Sequence, residues 1–239
     1  MSFHQIFANQ FRAPAANPSR LTENYAVSSI LLYRMGKEHA GRPAARTEGY
    51  KMTDAQMRYP RLVSKRLMLI SPADPVFDAN AAFLSPDAPR FIDAAEDPDS
   101  LWWSVATIIG HWHLHGYGLF AVVERHTGRT VGLVGPWFPK GWPEPELSWH
   151  LMEPGHGKGY ASEAAQCVLD WLFTDAGWDS IVSYVPEEND ASIALARRIG
   201  ARPEKLVSFR LQPAPNIRTW RHVPPGCTTA SPAARGLLH

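Results

Sequence analysis

The chain has 239 residues, 45% of them hydrophobic, and its 24 Lys and Arg against 23 Asp and Glu leave a formal net charge of +1. That suits one core of ordinary domain size, and the near-neutral balance excludes the basic face of a nucleic-acid binder. Two cysteines, no bilayer-length apolar run and no secretory pattern give no sign of a disulfide framework, a membrane span or export, so the sequence reads as soluble and cytoplasmic.

Residues 1–59, rich in Ala, Asn, Pro and Arg, read as a disordered extension or a misplaced start ahead of Met52, with only Tyr25 to Met35 apolar enough for a short helix. Regular patterning, and with it a single domain, runs over residues 60–223. Arg66 to Ile70 predicts a first strand, Pro75 to Leu84 a short helix, and Asp97 to about His115 a longer one bearing Trp102, Trp103, Val105, Ala106, Ile109 and Trp112. Leu119 to Glu124 and Thr130 to Val134 predict strands joined by a hairpin turn at His126-Thr127-Gly128-Arg129. From Glu146 to Met152, Leu147, Trp149 and Leu151 alternate with Ser148, His150 and Met152, the pattern of a half-exposed strand in an antiparallel or mixed sheet. Gly155, Gly157 and Gly159 follow. Ala161, Ala164, Ala165, Val168, Leu169, Leu172 and Phe173 then make one apolar stripe on a helix from about Tyr160 to Asp175. A strand over Ser180 to Val185 leads to a second helix that closes at Ile199-Gly200-Ala201, with Pro203 barring its continuation. Glu204 to Leu211 and Ile217 to His222 predict the last strands, and residues 224–239 a disordered tail.

The strand, glycine turn and helix over Glu146 to Ala165 form the segment with the clearest chemistry. The first amides of a helix have no partners inside it, and the macrodipole adds partial positive charge, so a phosphate ester suits that end. Glycines let the backbone itself approach such a ligand. Two common glycine loops are excluded by spacing: Lys158 is followed by Gly159 where a P-loop needs Ser or Thr, and Tyr160 stands where a dinucleotide fingerprint needs glycine.

The run His156-Gly157-Lys158-Gly159-Tyr160-Ala161 resembles the acetyl-CoA signature of the GCN5-related N-acetyltransferases (GNAT), Gln/Arg-x-x-Gly-x-Gly/Ala, with His156 in the place of Gln or Arg. Asn189-x-x-Ser192, with Ile199-Gly200-Ala201 closing the helix, resembles the family's second motif at the right distance. The surrounding wording, PELSWHL and GKGYASEAA, is similar to the Rim-type branch of ribosomal-protein acetyltransferases. The resemblance implies an α/β (α+β) fold with a mixed, largely antiparallel sheet flanked by helices, and transfer of an acetyl group from acetyl-CoA to a primary amine on a small molecule or peptide. It further implies that main-chain groups of Leu151 and Met152 bind the pantetheine arm. His156 would head the loop whose amides, from Gly157 through Lys158, Gly159 and Tyr160 to Ala161, meet the pyrophosphate. Asn189 would touch the pantetheine, and Ser192 would lie near the sulfur. A nucleic-acid or membrane partner is not expected, and a homodimer is left open.

Acyl transfer to an amine needs a base for the amine and a proton for the thiolate. Glu146 and Glu144, two residues apart and therefore on one face of a strand, are the candidate bases, with Glu146 nearer the reaction centre. Solvated edge carboxylates are the alternative. Ser192 is the candidate acid and Tyr184 a second choice. No cysteine or serine pairs with a histidine as a nucleophile, which fits direct transfer. A non-catalytic acyl-CoA sensor of the same fold is the other reading, because His156 departs from the signature and the acid is unsettled. His111, His113 and His115 alternate, but at a helix C-terminus they point different ways, so no metal site is expected. Trp137 and Trp142, in an aromatic loop before Glu144, either line the acceptor pocket or pack the core.

Overall fold

The computed structural model describes residues 59–84, 98–209 and 212–226. The segment from Tyr25 to Met35, Met52 and nearly all of the C-terminal tail lie outside the described residues. β1 (Leu62–Val63) and β2 (Leu67–Ile70) form a short antiparallel pair. They are followed by α1 (Pro98–His115), β3 (Phe120–Glu124), β4 (Thr130–Trp137) and β5 (Glu146–Leu151). The second half contains α2 (Tyr160–Thr174), β6 (Ile181–Pro186), α3 (Asp190–Arg198), β7 (Arg202–Phe209) and β8 (Gln212–His222).

The predicted helix over Pro75 to Leu84 is only a single π-helical turn, Asn80–Leu84. Asp74 is the reason: its carboxylate accepts the Val76 amide at 3.0 Å and two Arg61 bonds at 3.1 Å, fixing a turn where a helix would have begun. Asp78 then accepts the Ala81 amide at 3.0 Å and starts the short turn.

Among the described residues, eight strands lie in one sheet in the order β1-β2-β3-β4-β5-β6-β8-β7. Every neighbouring pair is antiparallel except β5 and β6, which run parallel and share one register pair, Glu146↔Val182. The apolar stripe of α2, with Ala164, Ala165, Val168, Leu169 and Leu172 buried, joins a core shared with Phe120, Val122 and Leu133 of the sheet and Val105, Ile108 and Trp112 of α1. Each large side chain removed from water there contributes roughly 1.5–3 kcal/mol. Trp112 also satisfies its indole N–H on the Leu119 carbonyl at 2.8 Å, which ties α1 to the entry of β3. Among the described residues, no helix is long and apolar enough to cross a membrane.

Candidate active site

β5 leads into a 3-10 turn, Glu153–Gly155, and then into Gly157 and Gly159 at φ 71° and 76°. Gly159 is the N-cap of α2. A Cβ at Gly157 would meet nothing within 4 Å, and one at Gly159 only Arg66 Nη2 at 3.7 Å. The left-handed backbone, not crowding by protein atoms, therefore demands glycine here. The first bond of the helix runs from Glu163 N–H to the Gly159 carbonyl at 3.2 Å, so the amides of Tyr160, Ala161 and Ser162 have no helical acceptor.

The turn is clamped from the β1–β2 connection, by residues the motif does not include. Arg66 donates to the Lys158 carbonyl at 2.9 Å and to Glu163 Oε2 at 2.7 Å, while its main-chain amide and Ser64 Oγ both donate to Glu163 Oε1 at 2.7 Å. Its guanidinium lies 4.6 Å from the centre of the Tyr160 ring. Lys158 Nζ stands 3.7 Å from Glu124 Oε1, the oxygen that also accepts the Tyr160 hydroxyl. Bonds from Thr127 and Tyr160 hold the Glu124 carboxyl below its ordinary range. The only sequence signal for this clamp is the acid Glu163 in the first helical turn.

β4 and β5 decide which main-chain groups of β5 remain open. Met152 N–H donates to the Val131 carbonyl at 2.9 Å, which makes that residue, and with it His150 and Ser148, face β4. The main-chain groups of Trp149 and Leu151 face the other way, toward β6. The expectation for Met152 is corrected accordingly: its side chain is buried and its amide is spent on the ladder. The Leu151 carbonyl, on the β6 side, is not free either. His156 folds back and donates Nε2–H to the Leu151 carbonyl at 2.8 Å, so its ring closes the turn on itself.

Beyond Glu146↔Val182 the β5–β6 seam is held by side chains. Ser183 Oγ donates to the Leu147 carbonyl at 2.7 Å and accepts from buried His222 Nε2 at 3.0 Å. Asn189 caps α3, its Oδ1 accepting the Ser192 amide at 3.0 Å. Ser192 Oγ accepts the Trp149 indole N–H at 3.2 Å, which leaves the serine with its own proton to donate. Trp149 thus fastens β5 to the start of α3 across the seam.

The two glutamates have different surroundings. Glu146, at 5% exposure, opens β5 beside Trp142 and Tyr184. Burial pushes its carboxyl up to about 7, with the neighbouring Trp142 side chain and Tyr184 main chain opposing the rise. Glu144 precedes the strand and does not share its face: its two oxygens accept Arg221 at 3.0 and 3.1 Å. Arg221, 9% exposed, also donates to both oxygens of Glu204, at 2.6 and 3.1 Å. The Glu144 carboxylate is therefore committed to an ion-pair network. Burial, then the charges of Glu144 and Glu146, push the Tyr184 phenol up, so it keeps its proton at neutral pH.

The remaining candidates separate clearly. His113 turns toward Tyr59, whose hydroxyl is 3.4 Å from its ring nitrogens, while the His111 and His115 rings lie tilted against each other at 4.4 Å, so the three histidines do not converge. Among the described residues no group of three or more His, Cys, Asp or Glu could hold a metal ion. Trp137 and Trp142 are both buried, and Cys167 packs half-buried beside the core, where burial raises its thiol.

A strand that parts from its parallel neighbour and runs through left-handed glycines into a helix is the frame of an acyltransferase. The Acetyltransferase (GNAT) domain model matches residues 66–202, more than half of the chain, and the protein belongs to this family. An acetyltransferase from Agrobacterium tumefaciens is 31% identical, with a TM-score of 0.54 over 68% of this chain and 94% of that one. The acetyl transferase of Salmonella typhimurium described as modifying the N-terminal serine of ribosomal protein L7/L12 shares the fold at 14% identity, with a TM-score of 0.51 over 69% of this chain and 99% of that one. A curated relative, the uncharacterized protein YkkB of Bacillus subtilis, is 27% identical over 95 residues, 39% of this chain. The chain spans about half of that relative's length, 55%.

Proposed function

We propose that the protein moves an acetyl group from acetyl-CoA directly to a primary amine, with Glu146 as the general base. The observation that carries this is Glu146 itself: a buried carboxyl with no ion-pair partner among the described residues, poised near 7, at the start of the strand that leads to the glycine turn. The turn fits the co-substrate's pyrophosphate, because unbonded helix amides and bare glycines allow an anion against the backbone. Lys158 adds charge there. Main-chain groups of Trp149 and Leu151 would pair with the pantetheine arm, and Asn189 and Ser192 would flank it from α3.

The co-substrate supplies the activated acetyl thioester. Near pH 7 about half of Glu146 is ionised and able to take the amine's proton. A protein α-amine, with pKa about 7.7–8.0, gives up its proton to such a base more readily than a lysine near 10.4. N-terminal amines and weakly basic small amines are therefore the favoured acceptors. Ser192, polarised by the Trp149 bond to its oxygen, would donate toward the leaving sulfur.

A non-catalytic acyl-CoA sensor is the second reading, favoured by the His156 ring that occupies the Leu151 carbonyl. Thermal shift with acetyl-CoA, CoA, ATP and NAD tests the cofactor. At about 100 times its dissociation constant a ligand adds about 2.7 kcal/mol, or roughly 5–11 °C for a domain of this size. A shift with ATP or NAD but not with acetyl-CoA would overturn the assignment. Thiol release across a panel of α-amines and ε-amines then separates enzyme from sensor: release with an amine supports transfer, and binding without release supports the sensor.

A further inference from the structure

We infer that Arg66 is a positioning residue for the pyrophosphate half of acetyl-CoA: it holds the glycine turn in shape and answers Glu163, an acid in the same helical turn that would otherwise repel the anion. This rests on the reading of the turn as the pyrophosphate site. The open amides of Tyr160, Ala161 and Ser162 are followed at once by Glu163. An acid in the first turn suits a helix that binds nothing there, but beside a bound anion it is a like charge at close range. The fold ties it down. Glu163 Oε1 accepts Ser64 Oγ and the Arg66 amide, each at 2.7 Å, and Oε2 accepts Arg66 Nε at 2.7 Å. Three donors, one of them charged, thus hold the carboxylate against the β1–β2 connection.

The same guanidinium reaches the turn itself. Nη1 donates at 2.9 Å to the carbonyl of Lys158, the residue between the two left-handed glycines, and the group lies over the Tyr160 ring, 4.6 Å from its centre. Nη2 is 3.7 Å from where a Gly159 Cβ would stand, so it borders the N-cap of α2. A planar guanidinium meets Glu163 with one nitrogen and Lys158 with another, which the single ammonium of a lysine does not reproduce. The other cations at the turn are engaged elsewhere: Lys158 Nζ stands 3.7 Å from Glu124 Oε1, and Arg198 of α3 donates to Ser162 Oγ at 3.0 Å. Among the described residues, Arg66 is therefore the cation that pairs with Glu163.

The test separates the two halves of the co-substrate. S-acetylpantetheine carries the thioester and arm of acetyl-CoA but no pyrophosphate. Each variant is measured by calorimetry with CoA and by initial rates with both donors and an accepted amine. Arg66→Gln should weaken CoA binding and raise the acetyl-CoA KM roughly tenfold or more, with kcat and the rates on S-acetylpantetheine held within about twofold. Arg66→Lys, which keeps the charge but reaches one partner, should fall between. Adding Glu163→Gln to Arg66→Gln should win back about threefold or more of the lost CoA affinity, because the amide carries no charge. A pair needed only for folding would gain nothing from losing its second member. Glu163→Gln alone should tighten CoA binding, and serves if Arg66→Gln does not fold. Unchanged CoA affinity in Arg66→Gln, equal losses with both donors, or binding no tighter once the Glu163 charge is removed overturns the inference. An unaltered protein that uses acetyl-CoA no better than S-acetylpantetheine would instead refute the pyrophosphate reading, so the two failures are told apart.

Discussion

Replacing Glu146 by glutamine should remove a pH dependence of stability that needs no knowledge of the acceptor amine. The folded protein holds this carboxyl at about 7 against an ordinary 4.5, by burial. At about 1.36 kcal/mol per unit the difference is worth about 3 kcal/mol. Between those two pH values the folded state binds the proton and the unfolded state does not, so stability falls as pH rises. The contribution is complete below pH 4.5 and lost as pH passes through 7. Glutamine does not titrate, so the variant gains on the parent protein as pH rises. About three quarters of that difference falls between pH 5 and pH 8.5, so at about 2–4 °C per kcal/mol for a domain of this size the difference in Tm between the two should change by roughly 5–10 °C over that range. Circular dichroism melts of both proteins in parallel buffers measure this directly, because all other titrating groups cancel in the comparison. A gap that stays constant across that range would show that Glu146 is ionised in the fold, and would remove the poised base.

Gly159→Val should weaken acetyl-CoA binding at least 100-fold by calorimetry, while the left-handed backbone costs about 1–2 kcal/mol of stability; undiminished affinity would reject the turn as the pyrophosphate site. Glu144→Gln should leave kcat and its pH profile intact and cost no more than about 1 kcal/mol, since Glu144 is 41% exposed. A tenfold fall in kcat would return Glu144 to the chemistry. Ser192→Ala retains the amide bond to Asn189 but takes the acceptor from the Trp149 indole N–H, so it should cost about 1 kcal/mol of stability, while kcat should drop about tenfold or more if the hydroxyl protonates the thiolate. Unchanged turnover would assign that proton to another group.

The segment from Glu146 to Ala165 was legible because strand, turn and helix are contiguous, and each declares itself by local rules of alternation, left-handed glycine and apolar stripe. Residues that meet from afar were not. Nothing near Lys158 announces that Arg66 will reach its carbonyl, or that Glu124 will receive the Tyr160 hydroxyl. Alternation assigns side chains to faces, but it does not say toward which neighbour a main-chain amide points. That is why Met152 was expected to be open when its amide belongs to Val131. The same limit applied to Glu144, whose role depends on Arg221 far along the chain. His111 and His115 were legible as helical neighbours, while the Phe138 bond that gives His111 its place required the loop to fold back over α1. The early helix failed for a local reason, Asp74 competing for the amides that would have started it.

The single parallel rung between β5 and β6 makes the sheet two antiparallel plates, β1 to β5 and β6 to β8, joined along a short line. Ser183 and Trp149 are the rivets of that joint. A molecule that fills the wedge bonds to one plate along β5 and to the other through α3, and so becomes a mechanical part of the protein while it is bound. Amide exchange along both lips of the wedge should then slow together on binding and quicken together on release. On the proposed reading, opening of this joint would set how fast spent co-substrate leaves.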